Sequence, residues 1–369
     1  MNDKPGPTAP RGPLAGLRVV EFAGLGPAPF ACMLLSDMGA DVVTIDRPTR
    51  KPTDSSHVTS RGRTLVLADL KDAAARERVL ALIDRADVLV EGFRPGVMER
   101  LGFGPDVVAQ RNPKLVYGRM TGWGQDGPLS AAAGHDLNYI AITGALHAIG
   151  PESGPPIPPL NLVGDYGGGG LYLVVGILAA LLEARRSGSG QVVDAAISDG
   201  VVNMMASFVG FALRGAHSEE RGKNMLDGGA PYYRTYETAD GEYVSIGAIE
   251  PQFFAELCER IGLPEPLRGA QNDKMRWPEL HAEFSRIFRT RTRTQWTELL
   301  QGTDVCFAPV LRLSEAARHP HHRARQAFVE IDGVSHPAPA PRFSRTPSAI
   351  RRPAPTDACD PAAVIARWS

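Results

Sequence analysis

Between residues 17 and 120, short apolar runs alternate with helix-forming stretches, and this alternation limits the possible folds more than any other feature. Residues 17–22, 41–46, 64–70, 88–91 and 115–120 read as buried strands. Residues 29–38, stopped by Gly39, read as a helix between the first two strands. Residues 73–85 read as another, with Val79, Leu82 and Ile83 on one face. Strands joined through helices pair in parallel, so the pattern predicts an α/β fold with a doubly wound, mostly parallel, Rossmann-like sheet. Residues 191–194 are expected to add a strand, and 198–214 a long helix leaving this domain.

The second half follows a different grammar. Residues 234–238 and 243–246 flank Asp240-Gly241, a strong hairpin signal. Helical stretches follow, with Phe254, Leu257, Cys258 and Ile261 on one face and Phe284, Ile287 and Phe288 on another. This predicts a large α/β domain over residues 1–197 and a linker helix and loop over 198–233. A smaller α+β domain then spans 234–323, and a return segment over 324–369 packs on the large domain. The Pro-rich stretch 336–355 is a poor helix or strand former and is expected to run extended over the surface.

A formal net charge of -1 gives no reason to expect nucleic acid or an anionic membrane as partner. The longest apolar stretch, residues 171–182, is shorter than the ~20 residues a bilayer span needs. Cys32, Cys258, Cys306 and Cys359 lack metal or redox spacing and fit reduced thiols of a cytoplasmic protein. Residues 1–13 read as a loose arm rather than a signal peptide. His319, His321 and His322 have no accompanying carboxylate spacing, so no metal is expected. Arg47, Arg50, Lys51, Arg61, Arg63 and Lys71 crowd into one stretch. They form either a solvated basic face or a pocket for a small polyphosphate.

Two segments carry proton chemistry. His135 lies in Gly134-His135-Asp136-Leu137-Asn138-Tyr139, and Asp165 directly precedes Tyr166 and the run Gly167 to Gly170. A carboxylate at such a junction is expected at a helix N-terminus, where free N–H groups favour negative charge. An imidazole and a carboxylate facing one cleft form an acid/base pair. A competing signal, Gly24-Leu25-Gly26-Pro27-Ala28-Pro29 with Asp46 about 20 residues on, imitates a dinucleotide fingerprint. Pro29 replaces its third glycine and Pro27 removes an N–H from the turn, so a Pro-started helix behind a turn is the better reading.

Many short segments together resemble the family III coenzyme A transferases (the CaiB/BaiF superfamily), and within them the branch of α-methylacyl-CoA racemases. They include Pro13-Leu14-Ala15-Gly16-Leu17-Arg18-Val19-Val20-Glu21, Glu91-Gly92-Phe93-Arg94-Pro95-Gly96, Thr121-Gly122-Trp123-Gly124-Gln125 and the segment from Gly134 to Tyr139. Asn224-Met225-Leu226-Asp227-Gly228-Gly229 and Gly247-Ala248-Ile249-Glu250-Pro251 extend the resemblance over nearly the whole chain.

The resemblance implies an interlocked homodimer with a shared active site, and an acyl-CoA thioester as substrate, with no separate cofactor. His135 and Asp165 would exchange the α-proton from opposite faces of a planar enolate, and Glu250, in cis or across the dimer, would orient and charge His135. In the alternative, Asp165 is the nucleophile of a coenzyme A transferase. Arg47, the backbone of Ala68, Asp69, Leu70 and Lys71, and the side chains of Lys71, Arg94 and Arg100 would hold the nucleotide. Gly134, Asp136, Leu137, Asn138 and Tyr139 would line the pantetheine pocket. Met204, Met205 and Met225 are either adaptable acyl-pocket residues or plain core.

The energetics impose one more requirement. A thioester α-carbon with a pKa of roughly 20 leaves a gap of about 13 units to a histidine base, about 18 kcal/mol. A turnover near 10 per second allows about 16 kcal/mol, so the enolate oxygen must be stabilised. The N–H groups starting the glycine-rich helix, that of Asp165 included, are the expected donors. Gly167 to Gly170 would either admit the thioester or pack against another helix.

Overall fold

Six strands, β1 (Arg18–Phe22), β2 (Asp41–Asp46), β3 (Arg63–Leu67), β4 (Val88–Glu91), β5 (Val116–Thr121) and β6 (Val192–Ala196), form a single sheet. Their order is β3-β2-β1-β4-β5-β6, with every neighbouring pair parallel. The structure, a computed structural model, describes residues 12–369. Most of the N-terminal arm lies outside them. Strand order reverses between β1 and β4, the place where open α/β sheets leave a crevice beyond the carboxyl ends of their strands. Valines 19, 20, 42, 43, 88 and 90 are fully buried, as expected of a sheet covered on both faces.

β3 stops at Leu67, three residues before the expected end. Asp69 accepts the Lys71 N–H at 3.0 Å, and Asp72 caps helix α2 (Ala73–Ile83) through the Ala75 N–H at 2.7 Å. Helix α1 (Pro27–Asp37) starts two residues earlier than expected, because Pro27 takes the first helical position behind Gly26.

The expectation of a short apolar segment at 171–182 needs correction. Helix winding is continuous over Leu162–Ser187, as a π-helix (Leu162–Leu171) followed by an α-helix (Tyr172–Ser187). By length and composition this element, α4, is long and apolar enough to cross a membrane. Here it packs on the sheet. Leu173 and Ile177 lie over Gly118 of β5, and Gly176 lies against Val193 of β6. The helix expected over 198–214 is also broken, into α5 (Ile197–Met204) and a second helix, Ala206–Leu213, hinged at Met205.

Two compact units result. The first gathers residues up to 143 with 160–204 and 321–369, and the second gathers 144–159 with 205–320. The sequence reading placed residues 144–159 in the large domain; in the structure they belong with the second unit. Arg221 donates to the carbonyls of Pro151 at 3.1 Å and His147 at 3.0 Å, and Lys223 pairs with Glu152.

In the return segment, a hairpin pairs β10 (Phe328–Ile331) with β11 (Val334–Pro337), so the Pro-rich stretch begins inside a strand. The chain then runs extended, with Ala349 N–H donating to Asp37 O at 3.0 Å and Cys359 N–H to Leu65 O at 2.7 Å. Val364 and Trp368 of the last helix (Pro361–Trp368) enter the core cluster that contains Val79 and Ile83.

The second unit holds an antiparallel sheet of β7 (Tyr233–Glu237), β8 (Tyr243–Gly247) and β9 (Phe307–Pro309). Its core is aromatic: Tyr236, Phe254, Phe284, Phe288 and Trp296.

Candidate active site

The carboxyl ends of β1, β4 and β5 carry the residues singled out for chemistry. Beyond β5, the chain turns through Trp123 and Gly134 into a short helix, α3 (Asp136–Ala141), with His135 as its N-cap. Asn138 Oδ1 accepts the His135 main-chain N–H at 3.1 Å, which fixes the entry into this helix. Tyr139 reaches back to the Gly134 carbonyl and meets Trp123 edge-on, ring centroids 4.8 Å apart. His135 is exposed beside a cavity of about 340 Å³ that Arg94, Trp123, Gly134, Asn138 and Tyr139 also line.

Asp165 is half-buried in the first turns of α4, within the π-helical part. Its Oδ2 accepts from Asn161 Nδ2 at 3.2 Å. Burial pushes its carboxyl pKa up; the Asn161 hydrogen bond opposes that, the Asp136 charge adds to it, and the His135 charge pulls it back. Asp165 and His135 are therefore electrostatically coupled. Tyr139 belongs to the same group: burial raises its pKa, as does the Asp165 charge, while Arg94 lowers it.

Asp136 occupies a different place from the one expected. Instead of facing the pantetheine pocket, its carboxylate takes the Asp165 N–H at 2.6 Å and also receives a backbone hydrogen bond from Gly164. The Asp165 N–H, expected to meet the enolate oxygen, is thus already committed. A Cβ at Gly164 would stand 2.2 Å from Asp136 Oδ2, so only glycine permits this contact. Burial raises the Asp136 pKa, and the two N–H donors lower it.

The glycine run serves helix packing. Cβ atoms at Gly168 and Gly169 would meet Val201 Cγ2 at 2.5 Å and Ile197 Cγ1 at 2.9 Å, both on α5. One at Gly170 would meet Phe30 of α1 at 2.8 Å. These are van der Waals approaches between helices, so Gly168 to Gly170 are needed for packing.

The dinucleotide-like turn has its own explanation. Gly26 has φ +69°, and a Cβ there would lie 2.9 Å from Asp165 Oδ2. Its missing side chain makes room for the carboxylate rather than for a pyrophosphate.

The basic stretch divides in two. Arg61 and Arg63 are buried and paired with Asp37 and Glu21, so neither is free to hold a ligand. Arg50 bridges to Asp46 at 3.2 Å. Arg47 and Lys71 remain exposed just beyond β2 and β3, where Ala68 N–H donates to Asp46 O at 2.8 Å and Asp69 begins the turn after Leu67. Leu70 packs against the core cluster. Arg94 and Arg100 are exposed beyond β4, and Leu137 is exposed on α3.

Met204 ends α5 exposed, its terminal methyl 3.2 Å from where a Gly167 Cβ would stand. Met205 and Met225 fall in the second unit, where Met225 packs against the core. Glu250 also belongs to the second unit. It is the exposed N-cap of helix Pro251–Ile261, after a turn held by Gln271 Nε2 donating to Ile249 O at 2.8 Å. Its charge raises the pKa of Cys306, after burial.

Sequence reasoning missed Asn161. An amide four residues before a carboxylate on one helix is a readable signal once the helix is known to begin at Leu162.

The CoA-transferase family III sequence profile matches residues 14–358. The chain is 44% identical to mouse α-methylacyl-CoA racemase over 91% of its length and 87% of the relative's. Identity to the human α-methylacyl-CoA racemase is 42% over the same shares. Among solved structures, a CaiB/BaiF family protein from Brucella suis superposes with a TM-score of 0.83 at 26% identity, covering 97% of this chain and 100% of that one. A hypothetical protein from Mycobacterium tuberculosis superposes with a TM-score of 0.81 at 30% identity and the same coverage. With the family profile matching residues 14–358 and relatives 42–44% identical over 91% of its length, the chain belongs to CoA-transferase family III.

Proposed function

We propose that the protein is an isomerase that inverts the α-carbon of 2-methylacyl-CoA thioesters. The observation carrying this reading is that Asp136, the residue after His135, accepts the Asp165 N–H at 2.6 Å, which supports an imidazole and a carboxylate working at one crevice. A transferase needs the aspartate alone, whereas inversion needs a second proton-handling group on the other face of the carbon. The names of the mouse and human relatives support the same choice.

In this mechanism, one of the pair removes the α-proton while the other, protonated, delivers one from the opposite side; the reverse reaction exchanges their roles. With the Asp165 N–H held by Asp136 and the Asn138 N–H by the His135 carbonyl, the N–H groups of Asp136 and Leu137 at the start of α3 take over the enolate oxygen. Arg47 and Lys71 bind the phosphates, Arg94 supplies charge beside the His135 cavity, and Met204 offers the acyl chain a deformable surface. The proposed assembly is an interlocked homodimer. Exposed Leu171, Val175 and Leu182 on α4 support a second copy as the cover for that face.

The test is incubation of a 2-methylacyl-CoA in deuterated water without any acceptor acid. Deuterium should enter at the α-carbon from either enantiomer, and His135→Ala should stop inversion and abolish exchange from the enantiomer whose α-proton His135 removes. An absolute requirement for an acceptor carboxylate would establish the transferase instead.

A further inference from the structure

The amino ends of the strands, opposite the candidate active site, hold a second charged hollow. It has a volume of about 430 Å³ and is lined by Arg18, Asp41, Arg351, Arg352, Arg367 and Trp368, with two glycines. Arg18 opens β1 and Asp41 opens β2, while the three other arginines come from the return segment and the last helix. Four guanidinium groups thus share one lining carboxylate, and that carboxylate is already engaged. Asp41 Oδ2 accepts from Arg367 Nε at 3.0 Å and from Trp368 Nε1 at 2.8 Å. Arg352 lies 3.9 Å from Asp41 Oδ1 and donates to Thr64 Oγ1 at 2.8 Å. Arg351 reaches the Ala40 carbonyl, and Arg18 the Arg85 carbonyl at 3.4 Å. Asp87, nearby, accepts the Arg18 main-chain N–H at 2.8 Å.

Arg367 also donates Nη2 to Asp41 Oδ1 at 3.3 Å and to Thr64 Oγ1 at 3.5 Å, so it is largely engaged, whereas Arg18 and Arg351 are held by one bond each and keep most of their five N–H groups. Burial lowers the Arg352 pKa and the neighbouring Arg351 and Arg367 charges lower it further, against the opposing pull of Asp41. A polyvalent anion relieves that crowding. An adjoining hollow of about 420 Å³ shares Gly16 and is lined by Lys114 and Arg185 together with Asp87, so two cations and one carboxylate continue along the same edge.

We propose that this hollow binds the phosphate or diphosphate group of a small molecule, at a site distinct from the one that holds the thioester substrate. Planar guanidinium forks match phosphate oxygens in pairs, and all four lining cations are arginine. A strand of five or six residues separates the two ends of the sheet by roughly 15–20 Å, at about 3.3 Å per residue.

The test is calorimetric titration of the full chain with pyrophosphate at low ionic strength. Arg18→Gln and Arg351→Gln remove donors from the hollow without touching the buried core. Arg47→Gln removes a cation from the opposite, substrate-side edge. Saturable binding that weakens at least tenfold in both hollow variants and persists in Arg47→Gln is the expected result. Arg351→Lys, which keeps the charge but loses the fork, should weaken it less than Arg351→Gln. The proposal is overturned by the absence of saturable binding, by binding that survives both hollow variants, or by equal loss in Arg47→Gln. Titration of Arg47→Gln with ADP separates a nucleotide from a bare diphosphate: ADP binding tighter than pyrophosphate and weakened by adding either hollow substitution assigns the nucleotide, and equal or weaker binding assigns the diphosphate.

Discussion

Asp136 Oδ2 accepts the main-chain N–H of Asp165 at 2.6 Å, tying the start of the His135 helix to the start of the Asp165 helix. One hydrogen bond thereby sets the spacing between the two proposed acid/base groups. It also places one carboxylate against another, and the Asp136 charge adds to the burial that raises the Asp165 pKa.

Asp136→Asn removes that charge and keeps an acceptor oxygen. The sign follows directly. Asp165 must be ionised to act as base, its folded pKa is raised, and part of the rise comes from Asp136. Neutralising Asp136 lowers the Asp165 pKa, so the acid limb of kcat/KM moves to lower pH. Asp136→Ala additionally frees both N–H groups and unties the helices, and kcat should fall about 10- to 100-fold from misplacement alone. A pH–rate profile of Asp136→Asn superimposing on the parent would contradict the coupling.

Asn161→Ala should move the same limb the other way. Its Nδ2 donates to Asp165 Oδ2 at 3.2 Å and favours the ionised carboxylate. Without that donor the Asp165 pKa climbs further, and more alkali is needed to ionise the base. Because a merely structural role predicts lost activity at every pH, the displaced limb is the discriminating readout.

How much of this was legible beforehand depends on the range of the interaction. The strands and their parallel pairing follow from local apolar patterning, and β2 matches its expected bounds residue for residue. His135 and Asp165 stand out through the segments that carry the family resemblance. The purpose of Gly26 was not legible, because the atom that demands a glycine there belongs to Asp165, 139 positions later. Nor was the pairing of Arg61 with Asp37, since a charge run in sequence does not show which members face inward. The commitment of the Asp165 N–H to Asp136 is likewise a contact between two helices, invisible to periodicity.

Gly26→Ala tests the room left for the Asp165 carboxylate, the proposed acid/base group. A methyl group there would stand 2.9 Å from Asp165 Oδ2, and φ +69° disfavours any side chain. The expected stability cost is about 1 kcal/mol. The activity cost should be far larger, about 100-fold in kcat/KM, because the carboxylate must shift. Gly24→Ala is the control, since the nearest atom to its Cβ lies 4.0 Å away. Gly24 also lacks a positive φ, so equal losses in the two variants, by thermal melting and by α-proton exchange, would show that neither the Asp165 contact nor the backbone conformation of Gly26 is responsible.

The buried pair of Arg61 and Asp37 should govern stability without governing chemistry. Arg61 Nε and Nη2 donate to the two Asp37 oxygens at 3.1 and 2.5 Å, and both side chains are almost inaccessible to water. Arg61 Nη1 also holds the Pro337 carbonyl at 2.7 Å, so the guanidinium links α1 to the return hairpin. Asp37→Ala leaves a buried cation without its partner, which costs about 3–5 kcal/mol. Replacing both, Asp37→Leu with Arg61→Met, removes the stranded charge together with its partner and should recover much of that loss, short of the Pro337 contact. Urea midpoints of the two variants decide the matter. Since Asp37→Ala keeps the Arg61 bond to Pro337, a double variant as unstable as Asp37→Ala would mean that removing the stranded charge brings no net gain. The pair sits at the carboxyl end of α1, remote from Gly26 at its amino end, so kcat below the unfolding transition should match the parent in both variants.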